Sequence, residues 1–160
     1  MDNYRNLENK FSYEIQKHIN NALPNLANKF CRYRPSTEFE DGKMSFDLVF
    51  NLNFTISIRI RKNKYLKYLD LTIRSKSLKG YETELDKINK GMAQIYFYAY
   101  MDELQSKLIK IRIVNVDAIR ILINKNKYEH KINDDGTEFY TFKFNDIKEN
   151  NGDIYKYDLI

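Results

Sequence analysis

The chain has 160 residues, 42% of them hydrophobic and 14% aromatic, with a formal charge of +5 and a sequence pI of about 9.1. That size suits one domain with a substantial core, and no apolar run is long enough to span a bilayer. The opening MDNYRNLENKF has neither the basic start nor the apolar stretch of a secretory signal, so a cytoplasmic protein with no membrane partner is expected.

In chain order, Leu7, Phe11, Ile15, Ile19 and Leu23 recur at fours, with His18 and Ala22 widening the same stripe, which predicts a first helix ended by Pro24. A histidine on such a face reads as structural. The segment PNLANKFCRYRPSTEFEDGKM, with both prolines and an Asp41-Gly42 turn signal, is predicted to be a loop. Its Cys31, the single cysteine, reads as a buried, inert thiol. With only His18 and His130 beside it, the chain has no disulfide and no His/Cys zinc set.

The period then changes to two. SFDLVFNLNF and TISIRIR predict an antiparallel hairpin turning near Asn51 to Asn53, and YLDLTIRS predicts a third strand. Together they would present one polar face bearing Asp47, Arg59, Arg61, Asp70, Thr72 and Arg74. YETELDKINK returns to helical spacing, with Tyr81, Leu85, Ile88 and Met92 inward and Gly91 as the C-terminal cap. AQIYFYAYM, apolar on both faces, predicts a central strand whose tyrosines, Tyr96, Tyr98 and Tyr100, read as core or interface. LIKIRIVNV is another strand, followed by a helix with Asp117 as N-cap. YEHKI and TEFYTFKF flank an NDDG turn and predict a hairpin, and beyond Asn145 the polar chain is expected to be loosely held. The expected fold class is α+β (α/β): a central mixed sheet in the order helix-strand-strand-strand-helix-strand-strand-helix, with a C-terminal β-hairpin. Residues 1–126 form the expected core, and 127–160 the hairpin and acidic tail, packed on it or flexible beside it.

Charge is unevenly placed. Between Phe54 and Gly80 lie eight basic residues (Arg59, Arg61, Lys62, Lys64, Lys67, Arg74, Lys76, Lys79) against one acid, Asp70, whereas Asp134 to Ile160 carries seven acids and three lysines. A local excess of this kind points to an anionic partner for the basic segment. Guanidinium forks bind phosphate through paired hydrogen bonds, and tyrosines such as Tyr65 and Tyr68 among the lysines can stack on unpaired bases. Cross-strand pairing of Arg59 or Arg61 with Asp47 or Asp70 is the alternative for the strand arginines.

DLVF from Asp47, SIRIRK from Ser57 and ELDKINKG ahead of IYFYAY set out a helix, three strands, a helix and a strand. That order resembles the restriction-endonuclease-like, or PD-(D/E)XK, nuclease fold in its Holliday-junction-resolvase-like branch, over roughly Leu7 to Ile123. The resemblance implies Asp47 as a metal ligand, with Arg59 and Arg61 standing where the family has glutamate and lysine. An arginine has no lone pair for a cation, so a Mg²⁺ site would need Asp70 or Glu84 beside Asp47. Candidate catalytic positions are thus Asp47, Arg59, Arg61 and Glu84, with Asp47 and Asp70 as metal ligands only in a nuclease. A Glu84–Lys87 surface pair is the ordinary reading of that helix. Nucleic-acid binding falls to Lys62, Lys64, Tyr65, Lys67, Arg74, Lys76 and Lys79.

The leading expectation is a nucleic-acid-binding accessory protein of a phage or mobile element, needing no cofactor. A divergent Mg²⁺-dependent nuclease comes second. A phage-encoded inhibitor that binds a host enzyme, through the acidic end or an oligomer built on the aromatic strands, comes third.

Overall fold

The computed structural model describes residues 10–35, 48–52 and 55–159, with side chains for 10–26 and 55–159. Helix α1 (Ser12–Phe30) leads directly into β1 (Cys31–Pro35), which pairs antiparallel with β2 (Leu48–Leu52). The helix therefore runs through Pro24, and the expected loop contains a strand. Ala22 and Leu26, either side of the proline, are fully buried while Pro24 faces solvent. Burial of the inner stripe outweighs the ~3 kcal/mol that an interior proline costs. The stripe that packs is Phe11, Ile15, His18, Ala22 and Leu26, with Leu23 turned outward. His18 is structural as expected: its Nδ1 lies 3.0 Å from the Tyr155 hydroxyl, and its ring packs against Tyr157.

A four-stranded mixed sheet forms the centre, in the order β3 (Ile56–Arg61), β5 (Ile95–Met101), β6 (Leu108–Asn115), β9 (Asp153–Asp158). β3 and β5 run parallel and the other pairs antiparallel. β5 is the predicted central strand, every residue of it buried. A second, antiparallel sheet has β4 (Asp70–Lys76) beside β8 (Glu138–Lys143), which pairs in turn with β7 (Glu129–Ile132) in the expected hairpin. The expected β2–β3–β4 meander is not formed among the described residues. β2 pairs with β1, and a 3₁₀ helix (Asn63–Tyr68) followed by left-handed Leu69 (φ 48°) carries β4 out of the first sheet into the second.

α1 covers one face of the main sheet, packing on Ile60, Phe97, Ala99, Ile111 and Ile113. The opposite face meets β4, β8 and three short helices, α2 (Glu84–Asn89), α3 (Val116–Asn124) and α4 (Phe144–Glu149). α2 starts on a Thr83–Asp86 capping box and stops at Gly91, whose positive φ lets Met92 donate back to the Lys87 carbonyl at 2.9 Å. These stops leave Tyr81 and Met92 outside the helix, and both are exposed, contrary to the inward positions predicted. α3 is capped by Asn115 instead of Asp117, the Asn115 side chain accepting from the Asp117 N–H at 3.0 Å.

Beyond Asn145 the chain is ordered into α4 and β9, where a loosely held tail was expected. Alternate burial explains this, because Ile147 and Ile154 enter the core on either side of Gly152. A Cβ on Gly152 would lie 2.6 Å from that of Ala118, so only glycine lets the turn approach α3 this closely. No helix among the described residues is long and apolar enough to cross a membrane.

Candidate functional site

Strand alternation turns Ile56, Ile58 and Ile60 of β3 towards α1, which sends Ser57, Arg59 and Arg61 to the other side, beside the tyrosines of β5. Arg59 does not stand on an open face. Its side chain is only 14% exposed and donates to Glu84 Oε1 at 2.8 Å and to the Thr72 carbonyl at 3.2 Å. Glu84 also accepts the Arg74 backbone N–H at 2.6 Å, so one carboxylate at the start of α2 ties β3 to β4. The ordinary surface pair of Glu84 with Lys87 is thus replaced by a tertiary one. Ser57, Arg59, Arg74, Glu84 and Lys87 line a cleft of about 400 Å³. Among the described residues that line it are three cations and one carboxylate.

Arg61 is held differently. Its guanidinium donates to the Thr72 hydroxyl and to the Tyr98 hydroxyl, the latter at 3.1 Å, and lies 4.2 Å from the centre of the Tyr65 ring. Tyr100 donates to the Asp70 carbonyl at 2.7 Å. Burial pushes the hydroxyls of Tyr96 and Tyr100 well above the usual phenol range, so both stay protonated donors. The neutral partners of Arg61 leave its charge uncancelled by any direct carboxylate contact among those resolved.

The 3₁₀ helix buries no residue fully and displays Lys64 and Lys67, whose ammonium groups lie over Tyr65 (5.1 Å) and Tyr68 (5.0 Å). Lys62, at its N-cap, is likewise exposed. Tyr68 is 54% exposed, and Lys131 of β7 reaches the same ring at 5.6 Å. Lys79 is exposed, whereas Lys76 is paired with Glu138 at 2.7 Å. Lys76 therefore meets an acid from the C-terminal hairpin that local sequence did not disclose.

Asp70 lies elsewhere, in a second cleft of about 610 Å³ with Lys67, Tyr68, Lys131, Thr141 and Lys143. Burial pushes its carboxyl above the usual range, against the opposing pull of Lys131 and Arg61. Arg59, Arg74 and Glu84 are thus brought together, while Asp70 is apart from them. Asp47 falls outside the described residues. No three His, Cys, Asp or Glu side chains converge among the described residues, and Asp70 and Glu84 line different clefts. Sequence reasoning did not assign Lys87, Lys131 or Lys143 to a site. Only the pairing of β8 with β4, which sets Lys143 opposite Asp70, brings the last of these there.

No protein-family model matches the chain, and no curated protein matches it. Among solved structures it is similar to a nuclease from a fusselovirus, at 14% identity over 87% of this chain and 88% of that chain, with a TM-score of 0.34. At that score the likeness bears on neither the site nor its chemistry.

Proposed function

We propose that the protein binds nucleic acid through its phosphates, using the cleft of Arg59, Arg74 and Lys87 together with the lysines of the 3₁₀ turn. The observation that carries this reading is a concave, half-buried cleft lined by three cations and one carboxylate, of which Arg59 holds the carboxylate directly. Glu84 neutralises one positive charge and fixes the Arg59 fork, leaving net positive charge for an oxyanion. Lys64 and Lys67, held over tyrosine rings, extend the path along a polyanion. The scaffold in this reading is the restriction-endonuclease-like core: along the chain α1, β2, β3, β4, α2 and β5 follow in the order of that resemblance, with β2 and β4 paired outside the sheet of β3. The context is that of a phage or mobile-element accessory protein.

Binding of labelled DNA and RNA measured against salt tests the reading. Affinity should fall steeply with salt, and the double variant R74Q/K87Q should flatten the slope of log K against log salt by about 1.5 to 2. Absence of binding in low salt, or binding indifferent to salt, would reject it. The nuclease alternative rests on Asp47 and is tested by Mg²⁺-dependent cleavage that disappears in Asp47→Ala.

A further inference from the structure

The second cleft lies between the 3₁₀ turn and the β7–β8 hairpin, and four lysines, Lys67, Lys127, Lys131 and Lys143, share its lining with three acids, Asp70, Glu129 and Asp146. Lys67 and Lys143 stand exposed and Lys131, half-exposed, is paired with Glu129 at 3.3 Å, while Asp70, 9% exposed, and Thr141 are buried. Tyr68 presents a largely exposed ring, over which the Lys67 and Lys131 ammonium groups lie at 5.0 and 5.6 Å, so a stacking base takes the place of one of them and leaves it at the base's edge. An aromatic face with cations about it, in one cleft with a buried hydrogen-bond acceptor, has three parts matched to three parts of a nucleotide. The ring stacks on a base, the ammonium groups meet the phosphates on either side of it, and the acceptor takes a base N–H. A duplex keeps its bases stacked and their pairing edges occupied, so it can use only the lysines.

We propose that this cleft receives an unpaired nucleotide, so that the protein prefers single strands or flipped bases to intact duplex. Its base stacks on Tyr68, Lys67, Lys131 and Lys143 hold the flanking phosphates, and Asp70 accepts from the exocyclic amino group of the base. The inference rests on the nucleic-acid reading above and adds to it a choice of substrate. The raised proton affinity of the Asp70 carboxyl agrees with an acceptor kept from water until a donor arrives.

Binding of wild type, Tyr68→Ala and the first-cleft variant Arg74→Gln to short deoxycytidine and deoxythymidine homopolymers and to a mixed-sequence duplex tests it by fluorescence anisotropy. Tyr68→Ala should weaken single-strand binding by roughly tenfold or more and change duplex binding less than about twofold. Arg74→Gln should weaken both. Wild type should hold the cytidine strand, which carries an amino group, several times more tightly than the thymidine strand, and Asp70→Ala, which leaves no acceptor, should erase that difference. Equal losses for single strand and duplex in Tyr68→Ala, or no loss in either, would overturn the proposal while leaving phosphate binding intact. Equal affinity of wild type for the two homopolymers would remove Asp70 from the site. Failure of wild type to bind any of the probes in low salt would overturn both readings.

Discussion

On its α1 side the four-stranded sheet carries Phe97, Ala99 and Met101 of β5 beside Ile60, Ile111 and Ile113, none of which needs a hydrogen-bond partner, with His18 and Tyr155 meeting at the β9 edge. The opposite side carries Tyr96, Tyr98 and Tyr100 beside Arg59 and Arg61, and these groups do. A dry apolar face is satisfied by any packing that excludes water, so its contribution is chiefly stability. A face of buried hydroxyls and guanidinium groups tolerates far fewer arrangements, because each unpaired donor costs free energy. Its partners, Thr72, Glu84 and the Asp70 carbonyl, thereby fix how the second sheet and α2 sit on the first. The cleft of Arg59, Arg74 and Lys87 opens along that second boundary.

The sharpest separation of the two faces comes from Phe97→Ala. Phe97 is fully buried, and its loss should cost about 3–5 kcal/mol in urea unfolding, with anion affinity unchanged at temperatures where the protein stays folded. On the polar face the effects should be smaller in stability and larger in binding. Glu84→Gln removes the Glu84 charge from beside Arg59, whose side chain is 14% exposed, and should cost about 2 kcal/mol of stability while strengthening nucleic-acid binding. A variant that loses stability and binding together would mean that Glu84 positions the cations more than it offsets them. Tyr98→Phe removes the hydroxyl shared by Arg61 and Thr72 and should cost about 1 kcal/mol, with no cavity formed.

The smallest effect concerns Asp70. Its folded carboxyl binds a proton more readily than the same group in the unfolded chain, so this residue weakens the fold at neutral pH. The penalty is relieved as pH falls through its raised folded value, and it is gone below the ordinary aspartate value. Asp70→Asn should therefore unfold later than wild type at pH 7, the difference shrinking as the solution is acidified. A difference independent of pH would show that Lys131 and Arg61 already offset the cost of burial.

Elements whose pattern is carried by their own residues were legible. Alternation marked β3, β4, β6 and the β7–β8 hairpin, continuous burial marked β5 as central, and its tyrosines read as core or interface. Elements decided by a distant partner were not. Pro24 signals a helix end, yet α1 passes it because Leu26 finds the sheet; the C-terminal residues look loosely held until β6 offers them an edge. Among the candidate site residues, Arg59, Arg74 and Glu84 do meet in one cleft, but Arg59 is inward and paired instead of open to solvent. The second cleft was half visible, through Lys67, Tyr68 and Asp70; its other wall comes from a hairpin some sixty residues further along the chain.

Local sequence determined which residues become strands, which face of each is apolar, and that basic charge gathers between Phe54 and Gly80. Tertiary structure alone decided that β4 leaves the sheet of β3, and with it which acid each arginine meets and which lysines share a cleft. The reason is that alternation sets the side to which a side chain points, whereas the neighbour waiting there is chosen by long-range pairing, which short-range periodicity does not encode.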